Sequence, residues 1–238
     1  MSDFADIWSY LARGPLVWLT ATLLAYLMGD ALSRRSGRHP LVNPVLIAVA
    51  LLAALLLATD TAYATYFEGA QFVHFLLGPA TVALAVPLWS NRAEIRASLL
   101  PMLAALVAGA GTAIVAALVI AHALGVSGET LASLAPKSTT APVAIGVAEA
   151  IGGSPTLTAV LVILTGITGA VVAGPVLTLL RIRDARARGF AMGTAAHGIG
   201  TARAFQESER AGAFSGIAMG LGALATALLA PLIIQVFI

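Results

Sequence analysis

The chain has 238 residues, of which 59% are hydrophobic and 10% are charged, with a formal net charge of +2 and no cysteine. So few charged side chains cannot cover the surface of a soluble protein, so the composition favours an integral membrane protein. The lack of cysteine excludes disulfides and thiolate metal sites, and the small net charge gives no reason to expect a nucleic-acid partner.

Six stretches contain no Asp, Glu, Lys or Arg, and each reaches or approaches the length of about 20 apolar residues that a spanning helix needs. In chain order they are 14–29, 40–59, 69–91, 97–128, 150–180 and 211–238. The first follows Asp3, Asp6 and Arg13 and lacks a small-residue cleavage site, so we interpret it as a retained span and not as a signal peptide.

Arginines cluster in three loops, which the positive-inside rule places in the cytoplasm. The clusters are Arg34, Arg35 and Arg38, then Arg92 and Arg96, then Arg181, Arg183, Arg186 and Arg188. We therefore predict an all-α, multi-pass protein of a bacterial cytoplasmic (inner) membrane, with the N-terminus outside and the C-terminus inside. About seven spanning helices are expected, at 14–33, 40–59, 69–89, 97–122, 155–180, 189–206 and 211–238.

The apolar segment 130–153 is expected to be re-entrant or broken. An even number of crossings must separate the loop at Arg92 from the loop at Arg181, yet three apolar segments lie between them. This middle segment is the poorest spanner, because it carries Lys137 and Glu149 as well as two prolines. Non-helical backbone at membrane depth is tolerated only where it lines protein or water.

A weak internal repeat relates 74–83 to 197–204, since each begins with His and precedes a charged turn and a long Gly-, Ala- and Thr-rich segment. In the predicted topology the two stretches cross in opposite directions. This pattern predicts an inverted repeat with interrupted helices, with halves at about 14–125 and 130–238 of one domain, 1–238. The alternative is chance similarity within a Gly/Ala-rich membrane protein.

The run Lys137-Ser138-Thr139-Thr140 precedes Pro142, and hydroxyl residues followed by a proline are typical of a helix start. At membrane depth such a helix would direct unpaired N–H groups and the positive end of its dipole into a cavity. With the lysine and the hydroxyls, that arrangement suits a carboxylate or a phosphate. The alternative is that Lys137 snorkels to the headgroups while the hydroxyls only cap the helix.

The second candidate stretch is 193–203, in which Gly198 and Gly200 favour an unwound helix. Unwinding would let Thr201 and Arg203 face the cavity that His197 enters. The arginine would hold a carboxylate bidentately, and the histidine would form a hydrogen bond or carry a proton. The alternative is an interfacial arginine and a histidine that is a packed core donor.

A third interruption is expected at 78–88, where Pro79 follows a glycine and Thr81 adds a hydroxyl, although an ordinary proline kink is the alternative. Glu149 is the only carboxylate within an apolar segment, so it is a candidate for proton coupling beside His197. A salt bridge or an interfacial position is an equal alternative for Glu149. The sequence contains no phosphate-binding loop, nucleophile elbow or zinc-protease motif, so no enzyme, cofactor or metal site is predicted.

Over roughly 10–238 the sequence resembles the LrgB/CidB family, on four local patterns. These are 43–47 (NPVLI), 77–88 (LGPATVALAVPL), 136–142 (PKSTTAP), and 193–203 followed by 212–216 (GAFSG). Members are described as antiholin-like proteins linked to murein hydrolase control and autolysis, which work beside a small holin-like partner, LrgA or CidA. The plastidial glycolate/glycerate translocator resembles a fusion of the two components, so the resemblance implies a small 2-hydroxy or 2-oxo monocarboxylate as cargo.

The preferred hypothesis is transport of a small monocarboxylate, such as glycolate, glycerate or pyruvate, by alternating access. The alternative is an antiholin-like regulator of an LrgA/CidA-type protein without cargo of its own. Expected partners are the carboxylate, the lipid bilayer and the holin-like protein, with self-association left open. The predicted substrate-binding residues are Lys137, Ser138, Thr139, Thr140, His197, Gly200, Thr201, Arg203, Pro79 and Thr81.

Overall fold

The computed structural model describes residues 14–39, 41–76, 79, 82, 89–90 and 92–237, which form α-helices joined by turns. The chain divides into two compact units, Met1–Ala83 and Leu84–Ile238. They are described separately below.

The first unit contains α1 (Pro15–Arg35), α2 (Pro44–Ala58) and α3 (Tyr63–Phe75). Asn43 caps α2, because its Oδ1 accepts hydrogen bonds from the backbone N–H groups of Val45 and Leu46 at 2.9 and 3.2 Å. Helix α1 packs against both other helices, and Gly29 of α1 lies directly against the backbone of Pro44, where a Cβ would approach the Pro44 carbonyl to 2.6 Å.

The second unit carries the candidate site. Its helices are α4 (Arg92–Ala97), α5 (Leu99–Ala123), α6 (Glu129–Leu134), α7 (Ala141–Ala150), α8 (Pro155–Leu179), α9 (Ala185–Glu207) and α10 (Glu209–Ile234).

Four of the described helices, α1, α5, α8 and α10, are long and apolar enough to cross a membrane. The prediction of about seven spans therefore holds for four. Helix α2 occupies the predicted span 40–59 but has only 15 residues, about 22 Å against about 30 Å of hydrocarbon. Much of the predicted span 69–89 lies outside the described residues.

The predicted crossing at 189–206 is wrong, because α9 folds back on itself. Its backbone leaves helical geometry at Ala196 (φ −133°, ψ 17°) and His197 (φ 41°, ψ −130°). Arg188 and Glu207, 19 residues apart, form an ion pair of 2.8 Å, whereas a straight helix would separate them by about 28 Å. Residues 185–207 are therefore a re-entrant hairpin, hereafter hairpin B, whose two ends lie at the same place.

Glycines let the first arm of hairpin B pack in backbone contact with the start of α10. A Cβ on Gly189 or Gly193 would lie 2.0 or 2.1 Å from the carbonyl oxygen of Ala211 or Ser215, respectively. The equal step of four residues along both helices shows that this arm runs parallel to α10. The returning arm runs antiparallel to it, because Thr201 bonds Ser215 while Phe205 lies against Gly212.

Residues 129–153, hereafter hairpin A, are also broken and return to their starting point, so the sequence expectation of a broken segment at 130–153 is met. Helices α6 and α7 are joined by turns at 135–140. Ser154 then donates its backbone N–H to Ser133 Oγ at 2.7 Å, and Thr158 Oγ1 donates to the Ser133 carbonyl at 3.1 Å. The 20 residues between Ser133 and Ser154 therefore leave the first turn of α8 and return to it.

The two hairpins join α8 at opposite ends. Hairpin A is fixed at the first turn of α8 by Ser133 and Thr158. Hairpin B is fixed at the last turns, where Arg188 bonds Thr178 and the carbonyl of Ile182. A hydrophobic core of α5, hairpin A and α10 residues includes Leu118, Leu131 and Ile234. Helix α10 therefore ends at the end of α8 opposite to the arginine-rich turn, and the prediction that the C-terminus shares the arginine side is wrong.

Candidate functional site

The turn of hairpin A holds an ammonium group that is partly withdrawn from solvent. Lys137 is half-buried, and its Nζ donates to Ser138 Oγ at 3.1 Å. Within the described part of the chain, the ion pairs join other residues and no carboxylate lies within salt-bridge distance of Lys137. An ammonium group away from bulk water is costly unless an anion or further donors and acceptors compensate it.

Thr139 lies beside the lysine and is 2% exposed. Its Oγ1 is buried and has no hydrogen-bond partner among the described residues. A buried hydroxyl without a partner costs about 1–3 kcal/mol, so such a group is a place where a ligand or water would bind. Helix α7 begins two residues later. Its N-cap residue, Thr140, makes no side-chain capping bond, and the first N–H groups of a helix have no intrahelical partner.

His197 forms the bend of hairpin B and is 5% exposed. Its Nε2 lies 3.0 Å from the carbonyl oxygen of Val162. Because a carbonyl only accepts, Nε2 must donate, and a neutral ring therefore presents Nδ1 as an acceptor. The ring rests on Gly166 of α8, where a Cβ would approach the imidazole Cε1 to 2.7 Å. Gly166 is near the middle of α8, so the bend reaches the centre of a spanning helix.

The two hairpins meet neighbouring turns of α8. The His197 ring bonds the Val162 carbonyl, and Thr158, about 6 Å away along the helix axis, bonds Ser133 of hairpin A. The turn of hairpin A and the bend of hairpin B therefore approach each other from opposite ends of α8. We call Lys137, Ser138, Thr139, the first turn of α7 and His197 the tip cluster.

Two of the predicted substrate residues, Gly200 and Thr201, hold hairpin B together. Thr201 Oγ1 donates to the carbonyl of His197 at 2.9 Å and lies 3.0 Å from Ser215 Oγ. Gly200 lies against the Met192 carbonyl of the facing arm, where a Cβ would approach to 2.4 Å. The contacts within the protein therefore account for a threonine at 201 and a glycine at 200 even when no ligand is bound.

Arg203 lies on the returning arm, six residues beyond His197, which is about 9 Å along a helix. Its Nη1 donates to Gln206 Oε1 at 3.0 Å, so the guanidinium turns toward the base of the hairpin. Glu149 is exposed in the last turn of α7, about 12 Å along the axis from the helix start. Glu149 is therefore outside the tip cluster. Pro79 is exposed, and Thr81 lies outside the described residues.

A groove of about 520 Å³ runs between α5 and the first arm of hairpin B. It extends from Asp184 and Arg186 to Ala195, one residue before the break. Asp184 caps the first turn of α9, and its hydrogen bonds to Arg186 lower the pKa of the carboxyl to about 2. Sequence reasoning did not find the groove, although the spacing of Ala105, Gly109 and Ala113 by four residues was the available signal.

These features define a class: an all-α, multi-pass membrane protein with two re-entrant hairpins. Within it the chain belongs to the LrgB-like family, whose profile matches residues 22–236. This membership groups it with membrane proteins of a holin-like or regulatory kind and not with enzymes.

The chain is similar over almost its whole length to several curated relatives. It is 34% identical to YxaC and 36% identical to YwbG of Bacillus subtilis, over 93% and 92% of this chain and 96% and 97% of the respective relative. It is 31% identical to the holin-like protein CidB of Staphylococcus aureus, over 93% of this chain and 96% of that protein. No solved structure matches the chain.

Proposed function

We propose that the chain binds a small monocarboxylate at the tip cluster and moves it across the bacterial cytoplasmic membrane. Lys137 carries the proposal, since it is a half-buried ammonium with no carboxylate in salt-bridge range among the described residues. An anionic cargo would supply the missing charge.

The chemistry around Lys137 favours a carboxylate that also carries an oxygen on its second carbon. The ammonium group and the first turn of α7 suit the carboxylate oxygens. The hydroxyl of Thr139, which has no hydrogen-bond partner among the described residues, suits the neighbouring hydroxyl or keto oxygen. His197 Nδ1 is an acceptor in the neutral ring, so it favours a 2-hydroxy acid, such as glycolate or glycerate, over a keto acid such as pyruvate.

The hairpins provide a physical route to alternating access. Secondary transporters place broken helices at the bilayer midplane and expose the site to one side at a time. Here hairpin A is attached at the first turn of α8 and hairpin B at its last turns, so on this proposal each hairpin would control access to the tip cluster from one end. Arginine-rich turns on the cytoplasmic side would place hairpin B inside and hairpin A outside.

The direct test is uptake of labelled glycolate, glycerate and pyruvate into proteoliposomes that contain this chain alone, with and without a proton gradient. We expect Lys137→Met to raise the apparent KM about tenfold to a hundredfold, the range for losing a charge-assisted hydrogen bond. Arg96→Gln is the matched control, because it removes an exposed cation far along the chain from the tip cluster, and should transport normally.

Binding can be measured without transport, because Lys137 is the only lysine of the chain. An amine-reactive acylating reagent should modify Lys137 and the terminal amine alone, and glycolate should slow the reaction at Lys137 only. Equal acylation rates with and without all three acids, together with no uptake, would contradict the carboxylate proposal.

A second function is favoured by the names of the relatives, since several are called holin-like protein CidB. On this hypothesis the chain is an antiholin-like partner of an LrgA/CidA-type membrane protein and influences murein hydrolase activity and autolysis. Autolysis of cells that express both components, with wild type or Lys137→Met, separates the two hypotheses. A pure regulator should tolerate the substitution, whereas regulation that depends on cargo should not.

A further inference from the structure

A second cationic site lies at the C-terminal end of α8, away from the tip cluster. A pocket of about 300 Å³ is lined by Thr178, Arg181, Ile182, Arg183 and Arg188. Three guanidinium groups in one small pocket attract an anion, so the question is which of them are available to bind it.

All the N–H donors of the Arg188 guanidinium already form hydrogen bonds within the protein. Its Nε and Nη2 bond Glu207 at 2.8 and 3.0 Å, its Nη1 bonds Thr178 Oγ1 and the Ile182 carbonyl, and its Nη2 also reaches the Gly174 carbonyl at 3.5 Å. These contacts use the five donors of a guanidinium. Arg188 therefore forms a wall of the pocket. Arg181 and Arg183 are exposed, and among the described residues neither side chain has a hydrogen-bond or ion-pair partner.

Arg181 occupies a backbone position that suits glycine. It has φ +58° and ends α8 with two bonds, Arg181 N–H to the Thr178 carbonyl and Ile182 N–H to the Leu177 carbonyl. This is the Schellman ending, in which the left-handed residue is usually glycine. The endings of α1, α5 and α7 use glycine at this point, and α2 uses Asp60. A long cationic side chain in this conformation indicates a role for the side chain itself.

An apolar stripe leads away from the pocket along α8. Val172, Val176, Leu179 and Leu180 are 45%, 41%, 82% and 63% exposed. The spacing of four and three residues puts Val172, Val176 and Leu179 on one face of α8, and Leu180 follows as its C-cap residue. Paired cations above an exposed aliphatic stripe match the two parts of an anionic phospholipid, the phosphate and the acyl chain.

We propose that Arg181 and Arg183 bind the phosphate of an anionic phospholipid whose acyl chain lies along the Val172–Leu180 stripe. The shared chemistry is a phosphate group, which a lipid headgroup or free phosphate could supply, and the acyl stripe selects the lipid. This site is independent of the carboxylate proposal.

The test is a titration of the full chain, purified and delipidated in detergent, with phosphatidylglycerol, phosphatidylcholine of the same acyl chains, and sodium phosphate. Native mass spectrometry counts bound lipid, and thermal shift reports phosphate. We expect the double variant Arg181→Gln/Arg183→Gln to bind phosphatidylglycerol about 25-fold more weakly, roughly fivefold for each arginine. The control Arg35→Gln/Arg96→Gln removes two exposed arginines outside the pocket and should bind as the wild type.

Arg181→Gly separates binding from folding. Glycine relieves the left-handed backbone, so the Tm without lipid should rise by about 2–4 °C while affinity for phosphatidylglycerol falls. Wild type without a preference for phosphatidylglycerol over phosphatidylcholine, or an unchanged Gln double variant, would overturn the proposal. Saturable, arginine-dependent binding of sodium phosphate that competes fully with lipid would also overturn it, in favour of a free-phosphate site.

Discussion

The re-entrant course of hairpin B makes a prediction that a crossing helix cannot share. Cysteines at positions 188 and 207 should be joined by a short bifunctional thiol reagent. The side chains of Arg188 and Glu207 meet at 2.8 Å, whereas 19 residues of straight helix span about 28 Å. Cysteine thiols at the two positions lie apart by no more than the reach of the two side chains that they replace, so a short reagent can bridge the hairpin but not a straight helix.

The chain has no native cysteine, so Arg188→Cys/Glu207→Cys introduces the only two thiols. A matched control is Leu100→Cys/Val119→Cys in α5, because these positions are also 19 residues apart and are exposed within an uninterrupted helix. Reaction in membranes followed by intact-mass spectrometry distinguishes one bridging reagent from two separate adducts.

We expect bridging in the 188/207 pair and two separate adducts in the control. The substitutions remove the ion pair, so the hairpin must be held by the Gly189 and Gly193 contacts with α10 and by the Thr201 hydrogen bonds. Two adducts in both pairs would refute the hairpin. The same result would mean that His197 does not lie at the middle of α8, so the tip cluster would not form.

Two further predictions concern stability in detergent, read as Tm or as the free energy of unfolding. Thr139→Val replaces an unpartnered buried hydroxyl with a methyl group of equal size, so it should stabilise the fold by about 1 kcal/mol while lowering glycolate affinity. Thr158→Val, which loses a bond to the Ser133 carbonyl, should destabilise it, and a loss of stability in both variants would contradict the assignment. Gly193→Ala places a Cβ 2.1 Å from the Ser215 carbonyl and should cost about 1–3 kcal/mol. Gly220→Ala meets no atom within 4 Å and should gain up to about 1 kcal/mol, so equal effects in the glycine pair would argue against close contact of α9 with α10.

Hairpin A was predictable because its sequence conflicts with a spanning helix. Lys137 and Glu149 are charges in an apolar stretch, and Pro142 marks a new helix start. An even number of crossings between two cytoplasmic loops also requires that one of the three apolar segments does not cross the membrane. The structure has α7 beginning at Ala141, one residue from the proline. Charged residues, a proline and the number of membrane crossings can all be determined from the sequence, so the sequence alone predicts this element.

Hairpin B was not predictable in the same way, because the sequence of its two arms is compatible with a single helix long enough to span the membrane. Gly198 and Gly200 suggested unwinding, but the break lies at Ala196 and His197, and the residue with positive φ is the histidine. What stabilises that bend is tertiary: Gly166 admits the imidazole, and the Val162 carbonyl accepts its N–H. Neither partner is visible from the sequence of 185–207, so the local signal was too weak to decide between a kink and a reversal.

The reversal of the chain in hairpin B bears on the predicted inverted repeat. Helix α5 and hairpin A are followed by α8 and hairpin B, and in each pair the hairpin begins at the end where the spanning helix finishes. Because α5 and α8 run in opposite directions, the hairpins enter from opposite ends. Segments 99–153 and 155–207 thus share one order of elements within the second unit, while the inverted repeat with halves at 14–125 and 130–238 stays a prediction. Lys137 and His197 each lie at the turn of a hairpin, whereas Arg203 lies partway back along an arm.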